Sequence, residues 1–142
     1  MSPAARLTCA ARMQSLVPAT AFVESFCAEQ GLDRRVALRL ALLLEELLTN
    51  TVVHGHGGDC DAPVVLELRA DPTSVTLDYA DTAAAFDPLA RLAEDEAALG
   101  AELADRPIGH LGIVLIDRIA TQANYERKDG WNCFRLCLDR RS

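Results

Sequence analysis

The sequence predicts an α+β domain: a two-layer sandwich in which helices cover one face of a mostly antiparallel sheet. Three observations predict it. One long Leu-rich helical run lies near residues 34–54. Two pairs of strand candidates, each closed by a short turn, follow it. The order is helices, hairpin, helix, hairpin, with no internal repeat and no low-complexity linker.

The elements follow in chain order. Arg6 to Met13 is a candidate first strand. Pro18 opens a helical run through Ala21, Phe22, Ser25, Phe26 and Glu29, and Gly31 fits its C-terminal stop. Asp33 is a candidate N-cap for the next helix, from about Arg34 to His54. That helix is apolar on most sides, which predicts a largely buried element. His54 to Asp59 is a turn by composition. Pro63 to Arg69 and Ser74 to Tyr79 carry strand patterns, joined by Asp71-Pro72-Thr73. Residues 88–105 have little β-propensity and predict a helix plus a mobile loop. Gly109 to Ile119 has helical apolar spacing at Leu111, Val114, Leu115 and Ile119. Ala120 to Arg127 and Trp131 to Leu138 form the last strand pair around Asp129-Gly130.

The bulk numbers limit the function. A length of 142 residues favours a single domain over 1–142. The net charge of −7 gives no general pull towards nucleic acid or anionic membrane, so neither is an expected partner. A phosphate-bearing ligand must be held by local features. Five scattered cysteines without a CxxC pair point to a reducing compartment, and cytoplasmic localisation is expected. The apolar stretch from Val36 to Leu44 is interrupted by Arg39, so no segment can span a membrane.

Three segments carry candidate chemistry. Glu46, Asn50 and His54 are spaced to share one helical stripe. A carboxylate and an amide one turn apart can do linked jobs. The amide oxygen can ligate Mg²⁺, and the carboxylate can deprotonate a nucleophile beside it. Spacing alone fits an exposed stripe with no role equally well. The second segment, Asp78 to Pro88, ends a strand in an acid and small residues, which let a ligand approach the backbone. Taken alone it is an ordinary strand end. The third, Gly109-His110-Leu111-Gly112, precedes an apolar helix and can offer N–H groups to phosphate.

In this order the segments resemble the N, G1 and G2 boxes of the GHKL, or Bergerat-fold, ATPase superfamily. The closer resemblance is to its anti-sigma-factor serine kinase branch. It rests on Glu45 to Gly55, Asp81 to Pro88, Gly109 to Gly112, and Tyr125-Glu126-Arg127…Gly130, and it covers about residues 15–138, the implied core of the domain. It implies ATP and Mg²⁺ as ligands, with Asn50 on the metal and Glu46 as general base towards a serine or threonine hydroxyl. It also implies that Asp81 accepts from the adenine amino group, beside Ala83. Gly109, His110, Leu111 and Gly112 would then lie at the phosphates, and about Leu89 to Ile108 would form a lid. The implied partners are an anti-anti-sigma protein of the STAS type, a sigma factor, and a second copy in a homodimer.

The chain departs from the family pattern at Ala83, where glycine is usual, with Ala84 and Ala85 following, and at His110, where small residues are common. A methyl group at residue 83 crowds an adenine pocket. One alternative is therefore a binding module of the same fold that sequesters a sigma factor or antagonist without phosphotransfer. Another is a zinc site drawn from His54, His56, Asp59, Cys60 and Asp61.

Overall fold

The computed structural model describes residues 3–85 and 119–140. Five strands and two helices account for most of them: β1 (Ala4–Ala10), α1 (Leu16–Glu29), α2 (Arg34–Thr49), β2 (Pro63–Ala70), β3 (Ser74–Asp81), β4 (Gln122–Lys128) and β5 (Trp131–Asp139). A short 3-10 turn, Met13–Ser15, precedes α1, and a π-helical turn, Asn50–Gly55, continues α2. The predicted lid and the helix from Gly109 lie outside the described residues, apart from Ile119.

The sheet order is β1-β2-β3-β5-β4, and every pairing is antiparallel. Strand alternation decides which face is covered. Val64, Leu66 and Leu68 of β2, Val75, Leu77 and Tyr79 of β3, and Leu136 and Leu138 of β5 are buried. They form one core with Val23 and Phe26 of α1 and with Leu40, Leu43, Leu44, Leu47 and Leu48 of α2. Each fully buried Leu contributes about 1.5–3 kcal/mol of transfer free energy. This one-sided burial makes the two layers.

Local chemistry fixes the ends. Asp33 caps α2 by accepting from the Arg35 N–H at 2.8 Å. Gly31 ends the α1 region at φ 65°, a conformation suited to glycine. Asp71 closes the β2–β3 hairpin, accepting from the backbone N–H groups of Thr73 and Ser74. Those bonds hold the Asp71 carboxyl below its ordinary range. Asp129 and Gly130 both have positive φ, 52° and 86°, which fits a two-residue hairpin turn.

Several boundaries differ from the sequence expectation. β1 runs Ala4–Ala10 rather than Arg6 to Met13, because Met13 turns into the 3-10 segment. α1 begins at Leu16, so Pro18 lies in its first turn, where a missing N–H costs no helical bond. β4 begins at Gln122, two residues after the expected start. The long helix is not buried on most sides: Leu38, Leu42 and Val53 face outward. Its last turn is also π-helical rather than α-helical, with His56 N–H bonded to Thr51 O at 2.9 Å. All five cysteines are free, and no described helix is long and apolar enough to cross a membrane.

Candidate functional site

The C-terminal end of α2 meets the C-terminal end of β3, where a polar network lies inside an otherwise apolar layer. Asp81 is only 4% exposed, and both its oxygens are held. Thr51 Oγ donates to Asp81 Oδ2 at 2.7 Å. Asn132 Nδ2 donates to Oδ1 at 2.8 Å, and the Ala83 N–H does so at 3.1 Å. A buried carboxylate without such donors would cost several kcal/mol. Here it is an acceptor fixed in direction.

The donors are themselves held. Thr51 has one proton and lies near two acceptors, Asp81 Oδ2 and Leu47 O at 3.0 Å. Tyr79 OH, 2.6 Å from Thr51 Oγ, is therefore the donor to it. Burial pushes the Tyr79 phenol well above its ordinary pKa, which keeps that proton in place. On the other side, Tyr125 OH donates to Asn132 Oδ1. That bond orients the amide so that its Nδ2 faces Asp81. The same Nδ2 lies 3.1 Å from both Ala83 O and Ala84 O, and Arg127 donates to Ala83 O at 2.7 Å. The β4–β5 hairpin therefore clamps the backbone that leaves β3.

Asn50 and Glu46 lie on the α2 side. Leu47, Asn50, Thr51, Gly55, Asp81 and Ala83 line a common cavity of about 20 Å³. Asn50 Nδ2 is buried and has no hydrogen-bond partner among the described residues. An unpaired buried amide nitrogen costs about 1–3 kcal/mol, and His56 Nε2 is unpaired in the same way. A flip of the Asn50 carboxamide presents its oxygen instead. One protein oxygen suits Mg²⁺, which is completed by phosphate oxygens and water. Glu46 is half-buried, and its carboxyl is raised above the ordinary range, first by burial and then by Glu45. A raised carboxyl pKa suits a proton acceptor working near neutral pH.

The structure thus brings together Asn50, Asp81 and Ala83 on one cavity wall, with Glu46 one helical turn before Asn50 on α2 and not among the lining residues. It does not bring His54 in. The π-helical turn breaks the spacing of the stripe, and His54 is exposed. Gly109, His110, Leu111 and Gly112 lie outside the described residues. The zinc alternative finds no support: among the described residues no group of three or more His, Cys, Asp or Glu could hold a metal ion. Asp61 instead pairs with Arg12 at 2.7 Å, and Asp59 accepts from the Met13 N–H at 2.8 Å.

Ala83 packs directly on Gly55. A Cβ added at Gly55 would stand 2.6 Å from the Ala83 Cβ. The 20 Å³ cavity holds about one water rather than a purine. A larger concavity of about 750 Å³ crosses the sheet face opposite α1 and α2, with Arg6, Glu67, Asp78, Asn124, Glu126 and Arg135 on its walls. Asp78 and Arg135 neutralise one another there at 2.7 Å, and the unpaired amide of Asn50 is not among its walls.

Sequence reasoning missed Thr51, Tyr79 and Asn132, and it noted Tyr125 and Arg127 only as part of a motif. Tyr79 was legible as a polar-tipped residue on the core-facing side of a strand. Asn132 was legible as a polar residue in phase with Phe134, Leu136 and Leu138.

A buried acid at a strand end, an amide and a carboxylate on the facing helix, and an antiparallel sheet are the elements that the resemblance to a GHKL ATPase domain predicts. Comparison with known families agrees. Residues 9–138 match the family described as Histidine kinase-like ATPase domain, and the chain belongs to it. Among curated relatives, it is 31% identical over 111 residues to Serine/threonine-protein kinase BtrW of Bordetella bronchiseptica, covering 78% of this chain and 76% of that protein. Solved structures share the fold. The structure of the RsbU and RsbW domains of Rv1364c from Mycobacterium tuberculosis matches with TM-score 0.63 at 18% identity. That match covers 97% of this chain but 33% of the other. A chain of the SiaB–SiaC complex from Pseudomonas aeruginosa matches with TM-score 0.56 at 14% identity, covering 95% and 89%.

Proposed function

We propose that this chain binds Mg·ATP and phosphorylates a serine or threonine of a STAS-type antagonist protein in a partner-switching pathway. The observation that carries the proposal is the fixed Asp81 acceptor opposite the unpartnered amide of Asn50. Asp81 would accept from the adenine N6 amino group. Asn50 would ligate Mg²⁺, whose charge neutralises phosphate oxygens. Glu46 would take the proton from the attacking hydroxyl. The hydroxyl oxygen would form its bond to the γ-phosphorus as the bond to the bridging oxygen breaks, and ADP would leave. The relationship to a protein named as a serine/threonine kinase supports the phosphoacceptor class.

A second reading keeps the fold and drops the transfer. The Ala83 methyl against Gly55 and the 20 Å³ cavity favour it, because a purine cannot enter without movement. On this reading the domain sequesters a sigma factor or an antagonist by binding alone. Incubation with labelled ATP, Mg²⁺ and a STAS-type protein separates the two. Label transfer that vanishes in Glu46→Gln supports the kinase. Tight partner binding without transfer supports the binding module.

A further inference from the structure

We infer that the outward face of α2, formed by Arg34, Arg35, Leu38, Arg39 and Leu42, is a docking surface for an acidic, leucine-bearing segment of the protein that this domain phosphorylates. Positions 35, 38, 39 and 42 follow the i, i+3, i+4, i+7 pattern of one helical face. None of them is buried, whereas Val36, Leu40, Leu43 and Leu47 on the opposite side are. Leu38 is 58% exposed and Leu42 45%, so two large apolar side chains stand side by side in water. Isolated exposed leucines are ordinary, but a pair one turn apart between arginines is a patch.

The charges identify the occupant. The chain has net charge −7, yet three cations stand within six residues here. Elsewhere, Arg12, Arg69 and Arg135 have carboxylate partners, while Arg127 and Arg140 donate to carbonyls. Among the described residues Arg34, Arg35 and Arg39 have no such partner, and neither do Arg6 and Lys128, but only the α2 arginines cluster beside exposed leucines. Arg34 and Arg35 also occupy the first turn of α2, which contains no acid. Cations there oppose the helix dipole, so they weaken the helix that carries them. A face that is basic and apolar on an acidic protein fits a partner that is acidic and apolar.

Location gives this surface its use. Leu42 lies one turn before Glu46 on the same helix, about 6 Å along the axis. A segment lying on Leu38 and Leu42 therefore brings its chain to the candidate base. That identity of the partner rests on the phosphotransfer reading; the surface itself does not.

The test uses the whole chain without nucleotide. The probe is a labelled helical peptide of about 14 residues with leucines at i, i+3, i+4 and i+7 and glutamates elsewhere. A control peptide replaces each glutamate with lysine. Fluorescence anisotropy should show binding of the acidic peptide only, weakening as salt rises. Arg35→Glu/Arg39→Glu and Leu38→Ser/Leu42→Ser should each weaken it by about tenfold or more. Both pairs are unburied, so Mg·ATP titration should match wild type and neither variant should lose thermal stability; Arg35→Glu, which puts an acid in the first turn of α2, should gain slightly. Equal binding of both peptides, no binding, or binding that survives in both variants overturns the inference. So does a wild-type dimer that Leu38→Ser/Leu42→Ser dissociates, because the occupant is then a second copy. Failure of wild type to bind Mg·ATP sinks the kinase reading and leaves the surface standing.

Discussion

Replacing Gly55 with alanine probes the contact that most affects whether a nucleotide can enter. The new Cβ would stand 2.6 Å from the Ala83 Cβ, well inside the 3.4 Å at which ordinary contact begins. Gly55 does not have positive φ, so its backbone accepts alanine without strain. The cost is therefore steric: about 1–3 kcal/mol for overpacking, less about 0.4–1 kcal/mol gained from a stiffer unfolded chain. Ala83→Gly alone loses one buried methyl, about 0.8 kcal/mol, plus about 0.5–1 kcal/mol for glycine freedom. Independent effects would add in the double variant. Because Ala83 is the obstacle, Gly55→Ala/Ala83→Gly should recover about 1–2 kcal/mol relative to that sum. Urea unfolding of all four proteins, with equal m-values, measures the coupling. Mg·ATP titration should show tighter binding in Ala83→Gly and weaker binding in Gly55→Ala. Additivity within about 0.5 kcal/mol would refute the contact.

Other outcomes follow from the same network and turns. Asn132→Ala removes the donor to Asp81, Ala83 O and Ala84 O, and should cost about 1–3 kcal/mol in chemical unfolding. Glu46→Gln should abolish phosphotransfer while Mg·ATP binding persists in calorimetry. The Glu46 carboxyl is raised in the folded state, so the stability it adds is present below its unfolded pKa and is lost as pH rises through the folded one. Melting profiles against pH should therefore show Glu46→Gln gaining on wild type as pH rises through that window. Asp71 is lowered instead, so its contribution is present above its unfolded pKa and is lost as pH falls through the folded value. Asp71→Ala should flatten the acid limb of the same profile.

Most of the fold was legible in the sequence because its signals are local. Asp33, Gly31, Asp71 and Asp129-Gly130 each act within a few residues, and each behaves as its residue type predicts. The alternation of Val75, Leu77 and Tyr79 against Thr76 and Asp78 in β3 matches the buried positions of that strand. The outward face of α2 was not legible. Leu38 and Leu42 look like core residues, and only packing against the sheet shows which stripe is buried. The π-helical turn was hidden as well. It rests on the i→i+5 bond from His56 to Thr51 and on Thr51 binding Leu47, Tyr79 and Asp81, contacts that cross the fold. It removes His54 from a stripe that Glu46 and Asn50 still share. Asn132 stands out as a polar residue in phase with the core, but its partners and that of Arg127 could not be read, since those bonds join residues 44–51 positions apart.

The most direct test of the central claim is a calorimetric titration of wild type and Asn50→Ala with Mg·ATP. The account predicts saturable binding in wild type and its loss in Asn50→Ala, whose metal ligand is gone. Absence of binding in wild type, or unchanged affinity in Asn50→Ala, would contradict it.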